Sequence, residues 1–162
     1  MKIVYVTNTG STKQYAEMLG EKTGFEVLAL DKAVNELAAD EEIIFMGWIM
    51  AGAVQGLKEA REVFTGIKAV CPVGLNKSEK TAAELTEKNG ITEPMFILQG
   101  NFKIDNLKGM YKMMMGMMLK MFKSKLKENP TPDADKFISA IENGVECVSE
   151  DNLTEILEWL GK

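Results

Sequence analysis

The residues best suited to chemistry are the run Thr7-Asn8-Thr9-Gly10-Ser11-Thr12, in which four of six carry hydroxyls and none is charged. The run lies between a β-branched segment, Lys2–Val6, and a helical pattern that Ser11 or Thr12 can cap. A helix N-terminus presents N–H groups that lack intrahelical partners, together with about half a positive charge. Hydroxyls at that point can complete a cradle around a phosphate dianion without a cationic side chain. Gly10 lets the backbone come close to such a ligand. The run is not a Walker loop, because the Gly-Lys-Ser/Thr ending is missing, and its single glycine does not make the Gly-x-Gly-x-x-Gly fingerprint. The same residue types also serve as ordinary loop and capping residues. The phosphate reading therefore rests on the strand-to-helix context.

Other chemistries are bounded by composition. The 162 residues include no histidine, which removes Ser-His-Asp and Cys-His catalysis and histidine-ligated metals. Two cysteines, Cys71 and Cys147, are too few for a zinc or iron–sulfur cluster and read as free thiols of a reducing compartment. Cys71 sits in an apolar strand pattern and Cys147 near a helix boundary, both read as inert. The carboxylates of Asp133–Glu158 are spaced like solvated helix faces. No catalytic side chain is singled out and no metal site is expected; any chemistry would come from a bound cofactor, from carboxylates and lysines, or be absent.

The elements that must position the run follow from the apolar pattern. Strands are expected at Lys2–Val6, Phe25–Leu30, Ile43–Gly47, Lys68–Val73 and Met95–Leu98. Helices are expected from Ser11 or Thr12 to Lys22, and at Asp31–Ala39, Leu57–Phe64, Ser78–Lys88, Asp133–Glu142 and Leu153–Leu160. Trp48–Gly56 and Gly74–Lys77 read as loops, and Asn129-Pro130-Thr131-Pro132 as a break. Apolar strands alternating with helices imply an α/β fold, a parallel sheet covered on both faces. For this size the expected arrangement is a doubly wound three-layer sandwich of five strands in the order 2-1-3-4-5. Ligands then bind beyond the carboxyl ends of strands 1 and 3. A single domain over residues 1–162 is expected, with a basic, methionine-rich insertion at about 101–132.

Charge is unevenly placed. The net charge is −5, yet residues 103–127 hold seven lysines against Asp105 alone. Residues 1–102 balance at −4 and residues 130–162 at −6, which argues against nucleic acid as a partner. Seven of the twelve methionines fall within Met110–Met121. On a helix, Met110, Met114, Met117, Met118 and Met121 form one stripe, with Lys112, Lys120, Lys123 and Lys127 mostly opposite and Lys125 out of pattern. Three readings stand: an extra packed helix with adaptable methionines, an interfacial helix on an anionic membrane, or a docking surface for a protein or planar substrate. No stretch reaches the length of a transmembrane span, and Met1 leads straight into a strand pattern. The expected address is cytoplasmic, with peripheral membrane contact through Met110–Met121 left open.

The run at residues 7–12 matches Thr/Ser-x-Thr-Gly-x-Thr after a first strand, and so resembles the FMN-phosphate loop of flavodoxins. Ile43–Gly52 and Pro94–Lys127 extend the similarity to the branch containing flavodoxin-like protoporphyrinogen oxidases. In that branch, the fifth strand ends in a glycine turn before a lysine- and methionine-rich insertion. The resemblance covers nearly the whole chain. It implies non-covalent FMN, with the phosphate at Thr7, Asn8, Thr9, Gly10, Ser11 and Thr12. It places the ring against Trp48, Ile49, Met50, Ala51 and Gly52 on one side and Gly74, Leu75 and Asn76 on the other. Trp48 is read either as a stacking residue or as a partly buried structural tryptophan. Ala51 and Gly52 lack bulk, so their peptide can turn when the ring gains a proton, which favours one-electron steps. Met50 stands where the branch often has tyrosine, and Trp48 where a smaller residue is usual. The implied function is electron transfer by an FMN flavoprotein to a redox partner protein. The alternatives are an oxidoreductase acting on a small hydrophobic substrate at the insertion, like protoporphyrinogen oxidase, and a flavin-free binding module.

Overall fold

In a computed structural model, the structure describes residues 1–101, 109–128, 138 and 144–162, the side chains at 122 and 125–128 excepted. The described chain divides into two compact units, Met1–Gly100 with Val148–Lys162, and Asn101–Cys147.

The first unit is an α/β sandwich. Its sheet contains β1 (Lys2–Val6), β2 (Val27–Ala29), β3 (Ile43–Met50), β4 (Ala53–Val54), β5 (Ile67–Gly74) and β6 (Leu98–Gln99). Five of these strands run parallel in the order β2-β1-β3-β5-β6, while β4 pairs antiparallel with β3 off the main path. Without β4, the order is the 2-1-3-4-5 arrangement expected of a flavodoxin-like sandwich. The helices are α1 (Ser11–Thr23), α2 (Leu30–Glu36), α3 (Leu57–Val63), α4 (Glu79–Asn89) and, after a 3-10 turn at Glu150–Leu153, α6 (Thr154–Trp159).

Two cores show how the layers are built. Tyr15, Ala16 and Leu19 of α1, with Leu153 and Ile156 near the C-terminus, cover Ile3, Ile44, Met46, Ala69 and Cys71. On the other face, Leu30, Ala33, Leu57, Ala60 and Leu85 from α2, α3 and α4 cover Val4, Ile43, Phe45 and Val70. Side chains alternate along a strand, so the apolar runs of β1, β3 and β5 feed both cores at once. Tyr15 is fully buried, and its hydroxyl donates to Gln99 O at 2.5 Å and accepts from Asn152 Nδ2 at 2.7 Å. It ties α1 to β6 and to the C-terminal turn.

Two expectations about the ends of elements change. The stretch Trp48–Gly56 is not wholly loop: β3 continues through Trp48, Ile49 and Met50 and folds back as β4, with Ile49 opposite Val54 and Met50 opposite Ala53. The fifth parallel strand is shorter than expected, Leu98–Gln99, with Met95 making an isolated bridge to Val70. The helix expected at Asp133–Glu142 and the break at 129–132 lie outside the described residues, save Ile138.

The second unit contains α5 (Gly109–Glu128), a helix of 20 residues. Within this unit the Cys147 N–H donates to Asn101 Oδ1 at 2.7 Å.

Candidate functional site

Parallel register lines up the carboxyl ends of four strands. Val6 lies beside Gly47, Gly47 beside Pro72, and Val73 beside Leu98. The segments leaving that row are 7–12, 48–52, 74–77 and 99–101. The chain after β1 enters α1 on one face, and the chain after β3 reaches α3 on the other. The crevice between β1 and β3 is therefore the switch point at which open α/β sheets hold their ligands.

At the first segment, Gly10 is the N-cap of α1 with φ 102°, a left-handed conformation that favours glycine. The Gly10 N–H donates to Thr7 Oγ1 at 3.1 Å, which turns the chain into the helix. No side chain caps α1, and its first turn contains no acidic residue. Ser11 and Thr12 are buried at this end. Among the described residues, the buried Nδ2 of Asn8 has no hydrogen-bond partner. A buried amide left unpaired costs about 1–3 kcal/mol, so an acceptor presented here is bound at an advantage. An uncapped helix start, an orphaned donor and an absence of carboxylates together fit an anion such as a phosphate.

The second segment departs from a simple loop. By pleat alternation Trp48 and Met50 face the α1 side of the sheet and Ile49 the opposite side, where it packs on the core. A Cβ on Gly74 would lie 2.7 Å from Ile49 Cδ1, so glycine is what lets Ile49 cross the end of β5. Ile49 is thus a core residue beside the crevice, while Trp48 and Met50 share the face of α1. The turn between β3 and β4 is Ala51-Gly52, and Ala51 is the positive-φ non-glycine residue of the described chain, at 49°. Residues of α4 hold this turn. Lys88 Nζ donates to Ala51 O, Asn89 Nδ2 donates to Gly52 O at 2.9 Å, and Asn89 Oδ1 accepts from Val54 N at 2.8 Å.

The third and fourth segments meet each other. Gly100 N donates to Gly74 O at 2.8 Å, and Gln99 Nε2 donates to Leu75 O at 3.5 Å. Leu75 and Asn76 are exposed, and Lys77 is paired with Glu155 at 2.8 Å. Gly100 lies against the 7–12 turn, where an added Cβ would stand 3.3 Å from Ser11 Cβ and 3.0 Å from Val73 Cγ1.

Thr7–Thr12, Trp48–Gly52 and Gly74–Asn76 thus all lie at one end of the sheet. Sequence reasoning missed three contributors: Gln99 and Gly100, and the Lys88–Asn89 pair that holds the 51–52 turn. The only local signal was the glycine turn after the fifth strand. Lys88 and Asn89 read as the end of a polar helix, and their contact with residues 37 positions earlier leaves no pattern in the sequence.

A depression of about 440 Å³ lies at the other end of α1, lined by Glu17, Gly20, Glu21, Gly24, Phe25 and Val27. Its lining, with two carboxylates and no cation, does not suit a phosphate. No protein-family model matches the chain, and no curated protein or solved structure is significantly similar to it.

Proposed function

We propose that the protein binds FMN without a covalent link, its phosphate at Thr7–Thr12 and its ring across the segments 48–52 and 74–76, and passes electrons to a redox partner protein. The observation that carries this reading is the buried, unpartnered Asn8 amide beside the uncapped start of α1. When bound, FMN would supply the electron-transfer chemistry; the protein's own residues bind, orient and shield. Asn8 Nδ2, the Thr9 and Thr12 hydroxyls and the α1 N-terminus would take the phosphate oxygens. Trp48 and Met50 would give the ring an apolar wall on the α1 side. The Ala51-Gly52 peptide would lie at its edge, in a position set by Lys88 and Asn89. Two cysteines outside any disulfide suit a reducing, cytoplasmic setting for such a carrier.

The test is a titration of the purified protein with FMN, followed by absorption and fluorescence. The expected result is a stoichiometric yellow complex with quenched flavin fluorescence. Replacing Thr9 and Thr12 by valine, which removes two hydroxyls at little change in volume, should weaken binding by about tenfold or more, at roughly 1 kcal/mol per hydrogen bond. A protein that stays colourless in excess FMN would overturn the reading and favour a flavin-free binding module.

A further inference from the structure

The helix α5 exposes a face that electron transfer at the switch point does not use. Met110, Met113, Met114, Met117 and Met121 are 65%, 63%, 45%, 66% and 55% exposed. At a helical turn of about 100° per residue these five fall within an arc of about 100°, and they span about 16 Å along the axis. The opposite arc carries Tyr111, Met115 and Met118, each partly buried, and Leu119, which is 7% exposed. The stripe that faces water therefore differs from the one expected from periodicity alone: Met113 belongs to it and Met118 does not. The exposed lysines Lys112, Lys120 and Lys123 occupy the arc adjoining the stripe on its Met113 side. From Gly109 to Lys127 the helix contains no acidic residue.

We propose that this methionine face seats the protein on an anionic membrane surface, with the methionines in the headgroup–acyl boundary and the neighbouring lysines against acidic lipid heads. The charge distribution argues for that occupant. Every charge from residue 109 to residue 127 is positive, while the rest of the chain is strongly acidic. An anionic surface therefore attracts this helix and repels the remainder, which orients the molecule. Lysine stems lie along apolar surface and keep their ammonium groups at the interface. A second copy of the chain fits less well, because an antiparallel two-fold contact through the stripe would set the lysine rows of the two helices close together. A protein groove fits less well too, since the exposed stripe offers no tryptophan, tyrosine or arginine anchor and protein interfaces are poor in lysine. The helix is not a spanning one: among the described residues, no helix is long and apolar enough to cross a membrane. The proposal does not depend on what the α1 end of the sheet binds.

The test is flotation of the full-length protein with two sets of vesicles, phosphatidylcholine alone and phosphatidylcholine with 30 mol% phosphatidylglycerol (about a third anionic lipid). Binding is expected to the anionic vesicles and to fall steeply as salt is raised. Replacing Lys112, Lys120 and Lys123 by glutamine should weaken it on the order of a hundredfold, since each lysine near an anionic surface contributes about a fivefold factor. Replacing Met113, Met117 and Met121 by serine should abolish it with the thermal midpoint of the sheet unit unchanged, which separates loss of the face from loss of the fold. Absence of binding to anionic vesicles, or equal binding to neutral ones, would overturn the proposal. So would a dimer seen by light scattering that the serine variant dissolves while vesicle binding is absent; that result assigns the face to a second copy.

Discussion

At the scale of single residues, the two groups that matter most are opposites in burial chemistry. Asn8 is polar and unsatisfied; Cys71 is buried and inert. Burial pushes the Cys71 thiol far above its ordinary pKa, so it stays protonated and unreactive within the sheet. Asn8 instead holds a donor in a place where water cannot serve it. This makes a prediction of unusual sign. Asn8→Ala should leave the ligand-free protein as stable as before or raise its stability by up to about 1 kcal/mol, because an unpaired buried amide is removed. The same change should weaken FMN binding several-fold. Thermal melts with and without FMN measure both. A loss of stability in the ligand-free protein would show that Asn8 has a structural partner and no binding role.

At the scale of elements, the β3–β4 hairpin decides how the crevice is walled. Gly47 lies where the returning strand crosses: an added Cβ would stand 2.6 Å from Gln55 O and 2.7 Å from Val54 Cγ1. Backbone oxygen cannot move aside as a flexible side chain can. Gly47→Ala should therefore cost about 2–4 kcal/mol and loosen the 48–54 segment, seen as a lower melting midpoint and as faster amide exchange at Gln55, whose N–H donates to Trp48 O. The turn from β1 into α1 was legible in the sequence because everything that defines it is local: a β-branched strand, a glycine and a cluster of hydroxyls within eleven residues of Lys2. The strand order was legible because fully apolar runs such as Ile43–Gly47 occur in buried parallel strands. The extension of β3 was not, because Trp48, Ile49 and Met50 become strand only by pairing with β4 and packing over Gly74. The water-facing stripe of α5 was half legible: periodicity showed an apolar face, but which methionines are covered depends on what the helix packs against.

At the scale of the whole molecule, acid stability depends on a small cluster that joins distant segments. Arg61 of α3 donates to Asn89 O and to Glu93 Oε2, each at 2.7 Å, while Thr92 N donates to the same carboxylate at 2.9 Å. Burial alone would raise the pKa of Glu93. The hydrogen bonds from Arg61 and from the backbone N–H groups of Glu93 and Thr92, with the Arg61 charge, outweigh it and hold the carboxyl below its ordinary 4.5. A carboxylate depressed in the folded state stabilises the fold above pH 4.5 and loses that contribution as pH falls through its folded value. Wild type should therefore exceed Glu93→Gln in stability at neutral pH, and the gap should close on acidification below pH 4.5, as denaturant melts across the pH range would show. A gap that persists at low pH would mean that Arg61 pairs with something else. Asn89, whose carbonyl accepts from Arg61, also clamps the Ala51-Gly52 turn through its side chain. The conformation of the Ala51-Gly52 turn is written partly at Lys88 and Asn89, at the C-terminal end of α4. A loop transplanted into another scaffold as residues 48–54 alone would arrive without its clasp and settle elsewhere. The portable piece is two segments, and only the pair would carry its shape.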